Sequence, residues 1–292
     1  MKIKIKISSL FYFLSFAFIP ILLVFTFSYG FSLWSFYISL HDWKGLGGIP
    51  IFTGLKNYIE FFSNSIAIKT LANTFILAFS FIISTTFLGL VLAIFLDVGL
   101  KGTSVFKTIF LLPLSFSFVI SATMWTWMFS PFQGTVNSIL RMLGLESLTQ
   151  PWITSTEQAL LCVLIVYIWQ FSGFVTLIYY AGISSIPKEQ IDAATVDGAT
   201  LLQKYLYIII PQLKGETIGV MVILLFYALR VFDLVYLLTG GGPALSSEVL
   251  ATYMYRVTFN QNLFGYGATV GFITFLIAII IIIPFQIFFR RR

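Results

Sequence analysis

The sequence predicts an all-α membrane protein, a polytopic helical bundle of about six transmembrane helices with both termini in the cytoplasm. Hydrophobic residues make up 59% of the chain and charged residues only 10%, whereas soluble domains carry roughly a quarter charged residues. Long stretches without any charge are the second observation, because about 20 apolar residues cross the hydrocarbon core of a bilayer. These stretches are Ile7–Leu40, Thr70–Leu96, Thr108–Leu140, Gln158–Pro187, Thr217–Leu229 and Gln261–Phe289.

The distribution of lysine and arginine predicts the orientation, because positive residues are retained on the cytoplasmic side. The apolar stretch after Lys6 runs on to Leu40 without a small-x-small cleavage site, so we interpret it as a retained first helix rather than a signal peptide. The larger group of cations is assigned to the cytoplasm and comprises Lys2, Lys4, Lys6, Lys101, Lys107, Lys188, Lys204, Lys214, Arg290, Arg291 and Arg292. The smaller, outer group comprises Lys44, Lys56, Lys69, Arg141 and Arg256.

The fifth stretch contains two ionisable residues. It continues through Arg230 and Asp233 to Leu238 and then meets the helix-terminating run Thr239–Pro243, so we expect one full helix. Residues at i and i+3 share a helix face, which predicts an intramembrane ion pair between Arg230 and Asp233. Such residues are functional candidates; a structural pair near an outer gate is the alternative to direct solute contact.

We expect two domains, divided at residue 69. Residues 1–69 contain the first transmembrane helix and an outer helix, and residues 70–292 form a core of five helices. The outer segment 57–69 alternates apolar and polar residues at helical spacing, which is typical of a helix lying in the membrane interface.

Several kinds of chemistry are excluded by what the sequence lacks. Cys162 has no partner for a disulfide or thiol metal cluster, and His41, the single histidine, is interpreted as an interfacial anchor at the end of the first span. No Gly-x-x-x-x-Gly-Lys-Ser/Thr loop is present to hold nucleotide phosphates. The net charge of +6 is scattered over loops and ends, so we expect no nucleic acid partner, and no cofactor, metal or catalytic residue in this chain.

The loop 187–214 is the longest expected in the cytoplasm, and it reads as two short helices joined at Asp197-Gly198. Pro187 ends the fourth span, and Glu189 opens the first short helix, where acids are favoured by the helix dipole. Ile191, Ala194 and Thr195 are predicted to form a small-residue face that another protein could approach closely. A solvated connector is the alternative.

This loop resembles the signature of ABC importer permeases: Glu-Ala-Ala, three residues, Gly, nine residues, Ile, one residue and Leu-Pro. Here the matching residues are Asp192-Ala193-Ala194, Gly198, Ile208 and Ile210-Pro211. Asp replaces Glu at 192 and Ile replaces Leu at 210, and every spacing is kept.

The resemblance implies the transmembrane domain of a type I ABC importer and a specific set of partners. It implies a second homologous permease, an external solute-binding protein, and two ATPase subunits that use ATP-Mg. In this family the loop is a coupling helix that docks on an ATPase subunit. The implied coupling residues are Glu189, Asp192, Ala193, Ala194, Asp197, Gly198, Ala199 and Pro211.

Further motifs are similar to the carbohydrate-uptake branch of these permeases, the maltose and glycerol-phosphate type. They are Phe52–Tyr58, Asn73-Thr74, Lys101-Gly102, Leu112-Pro113, Trp125–Phe129 and Leu238–Pro243. In that branch the solute contacts the helices before and after the coupling loop. The corresponding residues here are Gln170, Phe171, Phe174, Leu224, Tyr227, Ala228 and Val231, for each of which ordinary helix packing is the alternative.

Two other classes of protein are alternatives to an importer permease. A secondary carrier driven by an ion gradient would need intramembrane carboxylates or broken helices in two related halves, and Asp233 is the one strong candidate carboxylate. A membrane-embedded enzyme would need a His/Glu/Asp cluster at ligand spacing, which the sequence does not contain. The importer is therefore the predicted function, in the cytoplasmic membrane.

Overall fold

The computed structural model describes residues 7–99 and 103–290. The predicted cytoplasmic cations Lys2, Lys4, Lys6, Lys101, Arg291 and Arg292, as well as Gly102, lie outside this part of the chain. The helices are α1 Ile7–Val24, α2 Phe31–Ser39, α3 Lys56–Ser63, α4 Ser65–Asp97, α5 Thr103–Leu111, α6 Phe118–Met128, α7 Thr135–Met142, α8 Ala159–Ser185, α9 Lys188–Val196, α10 Leu201–Lys204, α11 Ile210–Gln212, α12 Lys214–Leu229, α13 Asp233–Leu238, α14 Leu250–Tyr255 and α15 Phe264–Arg290. Two short strands, β1 His41–Asp42 and β2 Ile51–Phe52, form an antiparallel hairpin.

Membrane-spanning helices dominate the described residues, which confirms the all-α membrane fold. Four helices are long and apolar enough to cross a bilayer, and two bent helix pairs raise the number to six if each pair is one span. The four are Phe16–Ser39, Ser65–Asp97, Ala159–Ser185 and Phe264–Ile281. The pairs are Val105–Ser115 with Phe118–Met128, bent by 104°, and Leu201–Gln212 with Lys214–Leu229, bent by 63°.

The third and fifth spans are both broken, whereas the sequence predicted one continuous helix for the fifth. After α5, a 3-10 turn containing Pro113 leads to extended backbone at Phe116 before α6 begins. The expected helix from Thr217 to Leu238 is wrong, because α12 ends at Leu229 and α13 begins only at Asp233. Uncharged composition identifies a membrane segment but does not reveal where its backbone leaves the helix.

The outer segment 57–69 is not one helix. The amphipathic helix α3 ends at Ser63, and Asn64 has extended backbone with ψ of 117°. Ser65 then begins α4, which continues for 33 residues. Residues 65–69 therefore belong to the second span, and only α3 retains the separate outer position that the pattern predicted.

The described chain divides into two compact units. The first comprises Met1–Asn64 and Met254–Leu276, and the second comprises Ser65–Tyr253 and Ile277–Arg292. The predicted division into residues 1–69 and 70–292 stays a prediction.

The first unit is organised around Ser39, at the end of α2. Its carbonyl accepts hydrogen bonds from Asn57 Nδ2 (2.9 Å) and from Thr269 Oγ1 (3.1 Å). Asn57 also donates to the His41 carbonyl (3.0 Å). His41 is buried, with Nδ1 2.7 Å from the Tyr37 carbonyl oxygen, and its role as an interfacial anchor stays a prediction.

The second unit is built around α8, which contacts α4, α5, α6, α12 and α13. A helix that is apolar on all sides is suited to such a central position. Gly89 of α4 lies directly against Val175 of α8, since a Cβ on this glycine would overlap with the valine side chain. Phe81 of α4 stacks on Tyr167 of α8 with 4.1 Å between ring centroids, and Phe171 packs edge-on to both.

A glycine sets the distance between α5 and α8. A Cβ added at Gly173 would overlap with the Phe110 carbonyl group, so Gly173→Ala is expected to destabilise the protein by about 1–3 kcal/mol through overpacking. Gly219→Ala is the matched control, because nothing lies within 4 Å of its added Cβ. Thermal unfolding in detergent should show a lower Tm for Gly173→Ala alone, and equal Tm values would contradict the close approach of these helices.

Candidate functional site

The loop between α8 and α12 forms two short helices joined by a tight turn, as the sequence predicted. Gly198 has a φ of +81°, a conformation that glycine adopts without steric cost. Gly198 N donates to the Thr195 carbonyl (3.1 Å) and Ala199 N to the Ala194 carbonyl (2.9 Å), the pair of bonds that defines a Schellman motif. Gly198 therefore ends α9 and reverses the chain toward α10.

Side-chain hydrogen bonds make this loop a defined structure rather than a flexible connector. Thr200 and Gln203 form a capping box at the start of α10. Lys204 Nζ donates to Thr195 Oγ1 across the turn (2.7 Å), and Gln212 Nε2 donates to Gln190 Oε1 (2.9 Å). The interpretation of the sequence missed these residues, although the spacing Thr-x-x-Gln is itself a capping-box signal.

Most of the implied coupling residues are accessible to a partner. Glu189, Asp192, Ala193, Asp197, Gly198 and Pro211 are exposed, Ala199 is partly buried, and Ala194 is buried. Val196, which the sequence interpretation missed, is 87% exposed at the end of α9. The accessible surface of α9 and its turn therefore carries three carboxylates, the exposed Lys188 and one prominent apolar side chain.

The predicted docking face of Ile191, Ala194 and Thr195 is corrected by the structure. Ile191 packs against the hydrophobic core of the second unit, and Ala194 is buried. Thr195 is exposed but accepts the Lys204 hydrogen bond. This face is turned toward the protein itself because it carries the apolar side chain that burial stabilises.

The breaks in the third and fifth spans lie beside α8 and border two adjoining cavities. One has a volume of about 390 Å³ and the other about 370 Å³. Both are lined by Phe118, Tyr227 and Asp233. The first also includes Tyr167, Phe226, Arg230, Val231, Phe232 and Leu234, and the second includes Leu114, Phe116, Ser117, Val119, Gln170 and Phe171.

Two α8 side chains satisfy backbone carbonyls at these breaks. Gln170 Nε2 donates to the Phe116 carbonyl (2.8 Å), and Tyr167 Oη donates to the Tyr227 carbonyl (2.7 Å). Carbonyl groups without a partner are costly in a bilayer, so non-helical backbone there needs such donors. The amide oxygen of Gln170 is buried without a hydrogen-bond partner, and Gln170 is one of the residues that line the second cavity.

The structure separates the predicted solute residues into two groups. Gln170, Phe171, Tyr227 and Val231 line a cavity. Leu224 and Ala228 are buried in the core, and Phe174 packs against it. Phe118 and Tyr167 were missed; Ser117, an N-cap residue that accepts a hydrogen bond from Ile120 N (3.3 Å), is the sequence signal that α6 begins there.

The expected ion pair between Arg230 and Asp233 is not formed. An ion pair is formed elsewhere, between Lys44 Nζ and Asp42 Oδ2 at 3.2 Å. Arg230 lies at the end of α12 and Asp233 at the start of α13, so the two do not share the continuous helix on which the prediction depended. Both instead line the larger cavity, and Asp233 lies in the first turn of its helix, where a carboxylate is favoured.

An outer loop is held against α4 by two residues of the predicted motifs. Asn73 Nδ2 donates to the carbonyls of Ser246 and Glu248 (3.0 Å each), and Leu250 N donates to Thr74 Oγ1 (2.9 Å). Asn73-Thr74 of α4 thus fixes the segment that runs from Ser246 to Leu250, after α13. Among the described residues there is no group of His, Cys, Asp or Glu side chains that could hold a metal ion.

Comparison with solved structures identifies the fold. A bacterial ABC transporter that imports the acidic polysaccharide alginate matches with a TM-score of 0.81 and 24% identity, over 97% of this chain and 95% of that chain. An amino acid ABC transporter matches with a TM-score of 0.52 and 16% identity, over 80% of this chain and 95% of that chain. These similarities confirm the predicted transmembrane fold of ABC importers.

Relatives found by sequence are more similar in sequence to this chain than these solved structures are. A protein of Pyrococcus horikoshii named "probable ABC transporter permease protein" is 41% identical, with 91% of both chains covered. The xylose/arabinose import permease of Haloferax volcanii is 36% identical over 91% of this chain and 84% of its own. The trehalose/maltose permease of Thermococcus litoralis is 34% identical over 84% and 82%.

The family model described as "binding-protein-dependent transport system inner membrane component" matches residues 85–292. This segment begins within α4 and includes both broken spans, the cavities and the loop around Gly198. The chain therefore belongs to this family: it is a multi-pass membrane permease of a binding-protein-dependent ABC importer.

Proposed function

We propose that this permease forms half of a translocation pathway for a sugar or sugar-like solute, beside a second homologous permease. Two ATPase subunits, which bind ATP-Mg, dock beneath the two permeases, and an external binding protein delivers the solute. The observation that carries this proposal is the exposed, hydrogen-bonded helix pair around Gly198, which is a rigid surface for a partner. Relatives named for import of xylose/arabinose and trehalose/maltose support the solute class.

The coupling residues on the loop are proposed to transmit nucleotide-driven motion. Its surface carries three carboxylates beside the exposed Lys188, namely Glu189, Asp192 and Asp197, and Val196 is an apolar contact for a groove. Because the two short helices are joined by hydrogen bonds on both sides of the turn, a push on α9 moves α10 with it. Alternating access needs such a rigid element acting on helices with two packing arrangements.

The solute is proposed to bind in the cavities at the broken spans. Phe118, Phe171 and Tyr227 offer aromatic faces for a sugar ring, while Gln170 and Asp233 offer oxygen acceptors for its hydroxyl groups. Broken helices lining a cavity at membrane depth are typical of solute sites in transporters. They occur in ion-driven carriers as well, but membership of the permease family and the exposed loop favour the ATP-driven importer.

Gly198→Asp tests the coupling role. A side chain at a φ of +81° is strained, although nothing lies within 4 Å of the added Cβ, and the new charge lies on the proposed docking surface. We expect ATP-driven uptake in vesicles to fall by about tenfold or more, the effect of some 1.4 kcal/mol, while the amount of protein in the membrane stays the same.

Gly215→Asp is the control for this experiment, because its added Cβ also meets nothing within 4 Å and its φ is not positive. Uptake by this variant should match that of the unmodified protein. Unchanged uptake by Gly198→Asp would contradict the coupling assignment.

Gln170→Leu tests the cavity as a solute site. The substitution removes the free acceptor and the donor to Phe116, so the KM for uptake should rise by about tenfold or more. Ser172→Ala is the control, since Ser172 Oγ bonds locally to the Trp169 carbonyl (3.1 Å).

Thermal stability shows whether reduced uptake by Gln170→Leu reflects a lost solute contact or a packing defect. A raised KM with a Tm near that of the control supports solute contact. An unchanged KM, or a loss of uptake that only parallels a fall in Tm, would leave Gln170 a packing residue and exclude it from the solute site.

A further inference from the structure

A hydrogen bond joins the segment after the coupling loop to the end of a distant helix. Tyr205 directly follows α10, and its hydroxyl donates to Asp97 Oδ2 at 2.6 Å. Asp97 is the last residue of α4. Tyr205 is 7% exposed, whereas Asp97 is exposed. The hydrogen bond therefore joins a buried aromatic side chain to a solvated carboxylate.

The position of Tyr205 connects the loop to the core from both sides. The preceding residue, Lys204, is hydrogen-bonded to Thr195 on α9. Ile209, at the end of the helical segment that begins with Tyr205, is buried in the hydrophobic core. Hydrogen bonds to an ionised acceptor are roughly twice as strong as neutral ones, and the bond to Asp97 joins this segment to α4.

The helix α4 continues this connection to the cavity. Phe81, within α4, stacks on Tyr167 of α8, and Tyr167 donates to the Tyr227 carbonyl at the broken fifth span. A displacement at Asp97 is therefore applied to a helix that packs along α8 and contacts α12.

We infer that Tyr205 and Asp97 are positioning residues that carry the movement of the coupling loop to α4. The inference rests on the proposed docking of an ATPase subunit on α9. Without this hydrogen bond, the loop can move while α4 stays in place, so ATP is hydrolysed with less transport.

The test uses the complete importer in vesicles and compares solute uptake with ATP hydrolysis. Tyr205→Phe keeps the buried ring and removes only the hydroxyl. We expect ATP hydrolysis to continue while the ATP used per solute rises by about fivefold or more, the lower end of typical coupling between sites. Tyr207→Phe is the matched control, because this tyrosine lies two residues away and is 74% exposed; its ratio should not change.

Variants at Asp97 separate the hydrogen bond from general stability. Asp97→Ala should raise the ATP used per solute as Tyr205→Phe does. Asp97→Asn should leave this ratio near that of the unmodified protein, because the amide oxygen still accepts the hydrogen bond. Combining Asp97→Ala with Tyr205→Phe should raise the ratio no further than either single change. A ratio unchanged in Tyr205→Phe and Asp97→Ala overturns the inference, as does a parallel fall in uptake, hydrolysis and Tm.

The Gly198→Asp variant distinguishes failure of the proposed function from failure of this inference alone. If Gly198→Asp leaves uptake intact, or the unmodified complex shows no ATP-driven uptake, the coupling proposal itself falls and this inference falls with it. If Gly198→Asp reduces uptake but Tyr205→Phe leaves the ratio unchanged, the inference alone is wrong.

Discussion

The structure depends on one constraint: every backbone carbonyl at membrane depth needs a donor from the protein. Helices meet this requirement internally, but the third and fifth spans are broken and expose carbonyls at Phe116 and Tyr227. Gln170 of α8 supplies the donor for the Phe116 carbonyl. The Tyr227 carbonyl accepts from Arg230 N (3.2 Å) and, in addition, from Tyr167 of α8. The central helix thus contributes a donor at each break, in a bilayer where water cannot replace these bonds.

This arrangement explains why the cavities lie where they do. A continuous helix presents only side chains to its neighbours, whereas a broken one opens space and presents backbone polar groups as well. Placing both breaks on α8 brings aromatic faces, the Gln170 amide and the Asp233 carboxylate to one region. The same donors that stabilise the breaks thus determine the shape of the candidate site.

Sequence patterns predicted what depends on composition and missed what depends on local backbone geometry. Long uncharged stretches gave the spans, and the spacing from Asp192 to Pro211 gave two short helices with their turn at Gly198. The prediction of an ion pair between Arg230 and Asp233 was wrong, because no sequence pattern shows that this helix of apolar residues ends at Leu229. Ile191 and Ala194 were assigned to the wrong surface since a small-residue face suits the protein's own core as well as a partner.

Tight glycine contacts set how movement can pass through the second unit. Gly89 lies against Val175, and Gly173 lies against the Phe110 carbonyl, so α4 and α5 both pack on α8 at backbone distance. Helices in such contact shift together, because sliding would force backbone atoms to overlap. Regular α-helical hydrogen bonding is interrupted at Phe116 and around Arg230, so we expect relative motion to cost least at these two breaks. A force that reaches α4 would then act at the cavity walls, so the proposed solute site and the proposed hinge are the same part of the molecule.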